Sequence, residues 1–303
     1  MAVICITGGD GMIGKKLTGY LVGKGHQIII LSRKAIKSSA HNVSYKQWDI
    51  ARKYIDPEAI NNTEIIIHLA GANVAEKRWS KKRKEEILKS RTESGRLLAY
   101  TLQTMPNKVK TIISASAIGW YGPDQGTVFT EDMPVHSDFL GSTCEAWEAS
   151  IHPAAALGIR LISTRIGIVL SNDGGALAEF KKPLRFGIAP ILGNGRQKIS
   201  WIHIDDLCRM MEFAITHTEV RGIYNATAPY PVSNRELMLT LAKKARRFYI
   251  PVYVPALILK IVLGEMSIEV LKSCTTSSEK IRKAGFQFLY PSIEAAFEEL
   301  INS

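Results

Sequence analysis

Along the first 170 residues, short β-branched and aliphatic runs alternate with longer stretches whose apolar positions recur at helical spacing. The short runs predict strands over Val3–Thr7, Gln27–Ser32, Val43–Trp48, Glu64–Leu69, Lys110–Ala115 and Arg160–Ile166. Met12–Lys24, Ser80–Met105 and Phe139–Leu157 read as helices between several of them. Such alternation predicts a parallel sheet with helices on both faces. The continuously apolar centres Ile28-Ile29-Ile30-Leu31 and Ile65-Ile66-Ile67 fit strands covered on both sides. The expected fold class is therefore α/β, a doubly wound parallel sheet of Rossmann type.

Past residue 170 the pattern loosens. Gly174-Gly175, Gly187, Pro190, Gly193 and Gly195 punctuate a stretch that reads as loop, and Lys198–Ile202 reads as a strand. A helix is expected to start near Asp205-Asp206, capped by one of these aspartates, with a further strand and helix within 222–246. Residues 251–303 read as short helices, the last opened by Pro291-Ser292. The implied organisation is a nucleotide-binding domain over 1–235, with 172–197 a loop-rich insertion on the substrate side, and a helical module over 250–303. No repeat or low-complexity segment interrupts it.

The first strand runs directly into Thr7-Gly8-Gly9-Asp10-Gly11-Met12-Ile13-Gly14, which carries both Gly8-x-x-Gly11-x-x-Gly14 and Gly9-x-Gly11-x-x-Gly14. Glycines here serve a tight turn, close approach of backbone to a pyrophosphate, and close packing of helix on sheet. The helix that follows would offer free N–H groups and its positive dipole end to phosphate. A strand before and an amphipathic helix after (Ile13, Leu17, Leu21 and Val22 on one face) supply the context in which the motif means dinucleotide binding. Thr7, Gly8, Gly11, Met12, Ile13 and Gly14 are the expected contacts.

An NAD reader usually places an acidic residue at the end of the second strand for the ribose 2′-hydroxyl. Ser32-Arg33-Lys34 stands there instead, 18 to 20 residues past Gly14. One hydroxyl and two cations suit a 2′-phosphate, so NADP(H) is favoured over NAD(H). Asp49 could accept from the adenine amino group or simply initiate a turn. His68-Leu69-Ala70-Gly71 closes the fourth strand with small residues against which a dinucleotide could lie, making Leu69, Ala70 and Gly71 further candidates.

Composition narrows the class without changing it. A chain of 303 residues with 46% hydrophobic and 22% charged residues has ordinary globular usage, which excludes disorder. The formal charge of +11 draws on the cluster Lys77, Arg78, Lys81, Lys82, Arg83 and Lys84. Only Trp79 accompanies that cluster, so it reads as a solvated helix face rather than a nucleic-acid surface. Four cysteines (Cys5, Cys144, Cys208, Cys274) without CxxC spacing argue against zinc sites and disulfides and fit a reducing compartment. The apolar run 250–264 is broken by Pro251, Pro255 and Lys260 and is too short for a bilayer, and no leader precedes the first strand. The cytoplasm is expected, with no membrane and no nucleic-acid partner.

With these residues in view, the chain resembles the short-chain dehydrogenase/reductase superfamily on its extended, sugar-nucleotide-epimerase-like side. The motifs are the glycine loop, His68-Leu69-Ala70-Gly71, Ser114-x-Ser116, Tyr121-Gly122 and Trp201-Ile202-His203-Ile204-Asp205-Asp206. It is more closely similar to an atypical branch described only as an epimerase family, through Gly71-Ala72-Asn73, Arg78-Trp79, Ser90-Arg91, Trp147-Glu148, Gly264-Glu265-Met266 and Ala284-Gly285-Phe286. That resemblance implies cofactor contacts at Ser32, Arg33, Leu69, Ala70, Glu86 and Arg91. Superfamily relatives often pair through helices beside the sheet, which leaves a homodimer open.

Superfamily enzymes of this kind use a Tyr-x-x-x-Lys pair on the helix after the fifth strand, the lysine lowering the pKa of a tyrosine that exchanges a proton as hydride moves. Here the only such spacing is Tyr20 to Lys24 on the first helix, and the expected positions hold Cys144 and Glu148. A glutamate cannot depress its neighbour's pKa as a lysine does. Ser116 is placed to orient a substrate oxygen, with Ser114 as its alternative or as a cofactor neighbour. Tyr121 and Cys144 are the rival proton donors, each with a plain packing alternative. Arg165 is a possible shaping residue, while His203 and the nearby aspartates raise a metal site that capping explains more simply. The expectation is an NADP(H)-dependent oxidoreductase or epimerase-like enzyme for a small carbonyl, alcohol or sugar-like substrate, without a metal. A catalytically silent NADP(H)-binding sensor is the competing class.

Overall fold

A computed structural model describes residues 1–34, 41–124, 126–245 and 248–302. The first half runs β1 (Val3–Thr7), α1 (Met12–Gly23), β2 (Gln27–Ser32), β3 (Val43–Asp49), β4 (Tyr54–Ile55), α2 (Glu58–Asn61), β5 (Ile65–His68), α3 (Lys81–Thr104), β6 (Thr111–Ala117), α4 (Phe139–Ile151) and β7 (Arg160–Ile166). Then come β8 (Ile168–Ser171), α5 (Gly175–Leu184), β9 (Ile188–Leu192), β10 (Lys198–Ile199), β11 (Trp201–His203), α6 (Ile204–Thr216), β12 (Gly222–Ala226), β13 (Val232–Ser233) and α7 (Asn234–Lys244). The chain ends with β14 (Ile250–Val254), α8 (Ala256–Leu263), α9 (Ser267–Leu271), α10 (Glu279–Lys283) and α11 (Ile293–Asn302).

Eight strands form the central sheet in the order β12-β7-β6-β5-β1-β2-β3-β4, all parallel except the antiparallel edge β4. Successive residues of each inner strand enter opposite layers. Ile4, Ile6, Ile28, Ile30, Ile65 and Ile67 pack into one core with Leu17, Leu21, Leu207 and Met211 of α1 and α6. Cys5, Ile29, Leu31, Ile66 and Ile112 pack into the other with Leu97, Leu98 and Leu102 of α3. This two-sided burial is why the strands read as unbroken apolar runs. The order reverses between β1 and β5, and a doubly wound sheet binds its ligand at that switch, outside the carboxyl ends of the strands.

Several local expectations need correction. The stretch 172–197 is more than loop: Leu177, Leu184, Ala189 and Ile191 are buried, and burying them makes α5 and β9. Lys198–Ile202 is two short strands, β10 pairing antiparallel with β13 and β11 pairing parallel with β8. The C-terminal region is not only helical, because β14 pairs parallel with β9. The helix expected to end at Leu157 stops at Ile151 and continues as a 3-10 turn through Pro153. The cap of α6 is His203, whose Nδ1 accepts from the Asp205 N–H at 3.1 Å; neither aspartate caps it. Asp206 is fully buried instead, accepting from the N–H groups of Leu289 and Tyr290 at 2.8 Å each and pairing with Arg209 at 2.7 Å. It fastens the last helices to the sheet. All four cysteines are free and buried, and no helix among the described residues is long and apolar enough to cross a membrane.

Candidate functional site

The turn from β1 into α1 is shaped by backbone that excludes side chains. Gly8 has φ +71° and lies against the Leu69 carbonyl, while a Cβ on Gly14 would overlap the Gly8 carbonyl and Gly9. Gly11 forms the N-cap of α1 without any side-chain cap, so no protein oxygen occupies the helix start from a side chain. An uncapped start beside the sheet's switch point fits a dinucleotide pyrophosphate. The flanking residues divide by role. The Thr7 hydroxyl is buried and accepts from the N–H groups of Leu69 and Ala70 at 3.2 Å each, so its single proton goes to His68 Nδ1 at 2.7 Å. That count assigns the imidazole proton to Nε2, facing Ser94. Burial, with the nearby Arg91 cation, pushes His68 down to about 4. Thr7 and His68 thus bind β1 to β5 beneath Leu69, Ala70 and Gly71.

At the end of β2, Ser32 is buried, while Arg33 and Lys34 are exposed. The Ser32 hydroxyl accepts from the Lys34 N–H at 3.2 Å and lies 3.5 Å from the Asp10 carboxylate. The two cations expected to meet a 2′-phosphate are therefore available, with a carboxylate from the glycine loop beside them. Asp49 accepts from the Arg52 N–H at 3.1 Å in a turn at the end of β3. Met12 packs against Gly175 at the head of α5.

The two helix residues implied by the resemblance part company. Arg91 is buried, its guanidinium donating to the Ala72 and Ile87 carbonyls at 3.0 Å each and lying 4.8 Å over the Trp147 ring. Burial brings it down to about 10. Glu86 is exposed and pairs with Arg83 at 2.7 Å. Arg83 is buried and also holds Glu76 and the Asn73 carbonyl. The cluster read as a solvated face is thus partly structural: Arg83 and Arg91 shape the 72–76 loop above the switch point, and Lys84 reaches Glu265 at 2.8 Å.

Beyond the C-terminal end of β6 lies a polar chain that the sequence does not announce. Ser116 donates to Glu148 Oε1 at 2.6 Å, and Arg165 grips both oxygens of Glu148 at 2.9 and 3.1 Å. The Arg165 side chain is 1% exposed and stacks 3.6 Å from the Trp120 ring centre; Glu148 keeps 12%. Arg165 also donates to the Tyr121 hydroxyl at 3.1 Å, and Tyr121 donates to Asn225 Oδ1 at 2.8 Å. Tyr121 is buried, stacked on Phe129, and pushed up to about 12 by burial above all. Cys144 is buried too, its thiol 3.6 Å from the Ala117 carbonyl and raised to about 12 by desolvation and then by Glu148. Ser114 is buried one pleat below Ser116.

One three-residue group among the described residues could gather a metal by proximity: His203, Asp205 and Glu299. The His203 Nδ1 lone pair is already taken by the Asp205 N–H, which leaves the proton on Nε2 to donate to Glu299 at 2.9 Å. Neither ring nitrogen then presents a free lone pair, and the group reads as a helix cap tied to α11.

A glycine loop at the switch point of a doubly wound sheet, with a polar cluster at the end of β6, defines a dinucleotide-binding protein of the Rossmann class. Residues 4–227 match the NAD dependent epimerase/dehydratase family, and residues 254–300 match a domain of unknown function, DUF1731. The chain belongs to the NAD-dependent epimerase/dehydratase family. It is 36% identical to epimerase family protein YfhF of Bacillus subtilis over 300 residues, covering 98% of this chain and 97% of that one. It is 37% identical to SSP1921 of Staphylococcus saprophyticus over 300 residues, with 98% of each covered. Among solved structures it is similar to human epimerase family protein SDR39U1 (isoform 2) with NADPH, at TM-score 0.88 and 27% identity over 99% of both chains. A nucleoside-diphosphate sugar epimerase from Corynebacterium glutamicum is similar at TM-score 0.79 and 29% identity, over 99% of this chain and 58% of that one.

Proposed function

We propose that the protein is an NADP(H)-dependent oxidoreductase or epimerase-like enzyme acting on a small secondary alcohol, carbonyl or sugar-like substrate. The observation that carries the reading is the 2.6 Å hydrogen bond from Ser116 to a glutamate fixed by Arg165. NADP⁺, when bound, supplies the acceptor for a hydride from the carbinol carbon. The exposed Arg33 and Lys34 and the NADPH of the human relative support the phosphorylated cofactor over NAD(H).

The site residues act on the proton. Bidentate pairing with Arg165 fixes the position of both Glu148 oxygens. Ser116 points its proton at that carboxylate, which leaves its oxygen lone pairs to accept from a substrate hydroxyl. As the alcohol is oxidised its proton passes to Ser116 Oγ, and the serine proton passes to Glu148. In reduction the relay runs backwards: the serine proton passes to the new alkoxide, and Glu148 returns its proton to Ser116 Oγ. Tyr121 and Cys144 are poor candidates for this exchange. The first has its hydroxyl engaged by Asn225 and Arg165, and the second is a buried thiol.

The test is NADP⁺ reduction and NADPH oxidation with panels of alcohols, aldehydes, ketones and quinones, run on wild type and on Ser116→Ala. Turnover that disappears with the serine supports the reading. A protein that NADPH protects against thermal unfolding but that turns over no panel member is the silent sensor instead.

A further inference from the structure

Two phenylalanines stand almost fully in solvent at one end of the protein: Phe186 is 83% exposed and Phe248 84%. Each follows lysines in the last turn of a helix and leads into a strand. Lys181, Lys182, Arg185 and Phe186 precede β9; Lys243, Lys244 and Phe248 precede β14. Because β9 and β14 run parallel, the two repeats arrive at the same end of their ribbon. They meet there. The Ile250 N–H donates to the Gly187 carbonyl at 2.8 Å, and a Cβ on Gly187 would stand 3.4 Å from the Phe248 carbonyl oxygen. The ribbon behind them overhangs the body of the protein. Opposite the fully buried Ala189 and Ile191, Pro251 and Tyr253 are exposed, and so are Ile250 and Val252 on the other face. β14 is thus open to solvent on both faces.

We infer that this end of the protein docks on the surface of an anionic lipid bilayer, with Phe186 and Phe248 inserted among the lipids. Large aromatic side chains are unfavourable in water and settle at membrane interfaces. Charge points the same way. Residues 181–192 and 243–254 contain no Asp or Glu. Lys182 and Lys244 pair with Glu179 and Glu298, but Arg185 and Lys243 are exposed and have no acidic partner among the described residues. Arg185 instead adds to the burial that lowers the pKa of Lys181. Cations in a last turn also complement the helix dipole, but that role leaves the neighbouring phenylalanines unexplained. Shape separates lipid from protein. A second copy or an acidic protein would lie against one face of the ribbon, whereas lipid headgroups close around both faces of a projecting strand. The free edge of β14 keeps it in the hydrated headgroup layer, where Pro251 has no N–H to satisfy and the amphipathic ring of Tyr253 is favoured. No described helix is long and apolar enough to cross a membrane, so the contact is peripheral. It does not depend on the proposed chemistry.

Co-sedimentation of the full chain with vesicles tests it, using phosphatidylcholine alone and phosphatidylcholine with about 30% phosphatidylserine. The wild type should bind the mixed vesicles at least about 10-fold more tightly, and lose that preference as salt is raised. Phe186→Ser with Phe248→Ser leaves the net charge unchanged and should weaken binding about 100-fold, since each inserted ring contributes about 10-fold. Arg185→Glu with Lys243→Glu should weaken binding to the mixed vesicles at least about 10-fold and remove the preference for them. All four side chains are exposed, so the variants should keep the wild-type circular dichroism, and either pair suffices if the other fails to fold. A wild type that stays in the supernatant overturns the inference, as does equal binding to both kinds of vesicle. Binding that the phenylalanine pair leaves intact also overturns it, in favour of general attraction by a chain of charge +11. A wild type that is dimeric in sedimentation velocity, and monomeric with both phenylalanines replaced, overturns it in favour of a second copy.

Discussion

Ser116 points its hydroxyl proton at Glu148 over 2.6 Å, and Arg165 holds the far side of the same carboxylate. The relationship joins the end of β6, the middle of α4 and the end of β7.

If the serine–glutamate pair moves the proton, Glu148→Gln should lower kcat by about 10²–10⁴, the usual contribution of a positioned acid or base. The cofactor dissociation constant should stay within about threefold, since a lost catalytic group need not alter ground-state binding. Steady-state kinetics and fluorescence titration with NADPH read the two quantities. Equal loss in both would assign Glu148 to architecture.

Arg33→Asp should weaken NADPH by roughly 10–100-fold and NADH hardly at all, because one charge-assisted bond to a phosphate is worth about 1.5–3 kcal/mol. The Asp10 carboxylate beside Ser32 makes a companion prediction. Asp10→Asn removes a like charge from the neighbourhood of the phosphate and should tighten NADPH while leaving NADH unchanged. Competitive binding of the two cofactors to each variant measures both effects. A parallel change for NADH would separate these residues from phosphate recognition.

Tyr121→Phe should leave turnover within about threefold. It should destabilise the fold by about 1–3 kcal/mol, because Asn225 Oδ1 and an Arg165 N–H each lose a buried partner. Denaturant titration together with kcat separates this structural role from a catalytic one. A collapse of kcat in a stably folded variant would reinstate the phenol as proton donor.

The central fold was legible because β1, β2, β5 and β6 are buried on both faces and therefore wrote themselves as apolar runs. The dinucleotide loop was legible because Gly8 and Gly14 have backbone reasons to lack side chains. Glu148 was not. Its meaning depends on Arg165, 17 residues away and diagnostic only once β7 lies beside β6. The same limit hid Asp206, an ordinary helix-start aspartate until the Leu289–Tyr290 backbone meets it. β14 was masked by Pro251, tolerated in a two-stranded ribbon where a central strand would refuse it, and by Pro255, which ends the strand and opens α8.

His68 makes the pH dependence of stability specific. Its folded-state pKa is held at about 4 against an ordinary 6.5, by burial first and by Arg91 second. Between these two values the unfolded chain takes up a proton that the folded chain refuses, so stability rises with pH across that window and is lost as pH falls through it. At 1.36 kcal/mol per pKa unit the full loss is about 3 kcal/mol. Replacing His68 with Asn should remove that share of the slope while costing some stability at neutral pH, since Thr7 would lose its ring partner. Urea titrations of both proteins at a series of pH values from neutrality down to about 4.5 give the comparison. An unchanged slope in the variant would mean that other groups dominate acid sensitivity, and that His68 is protonated in the fold without cost.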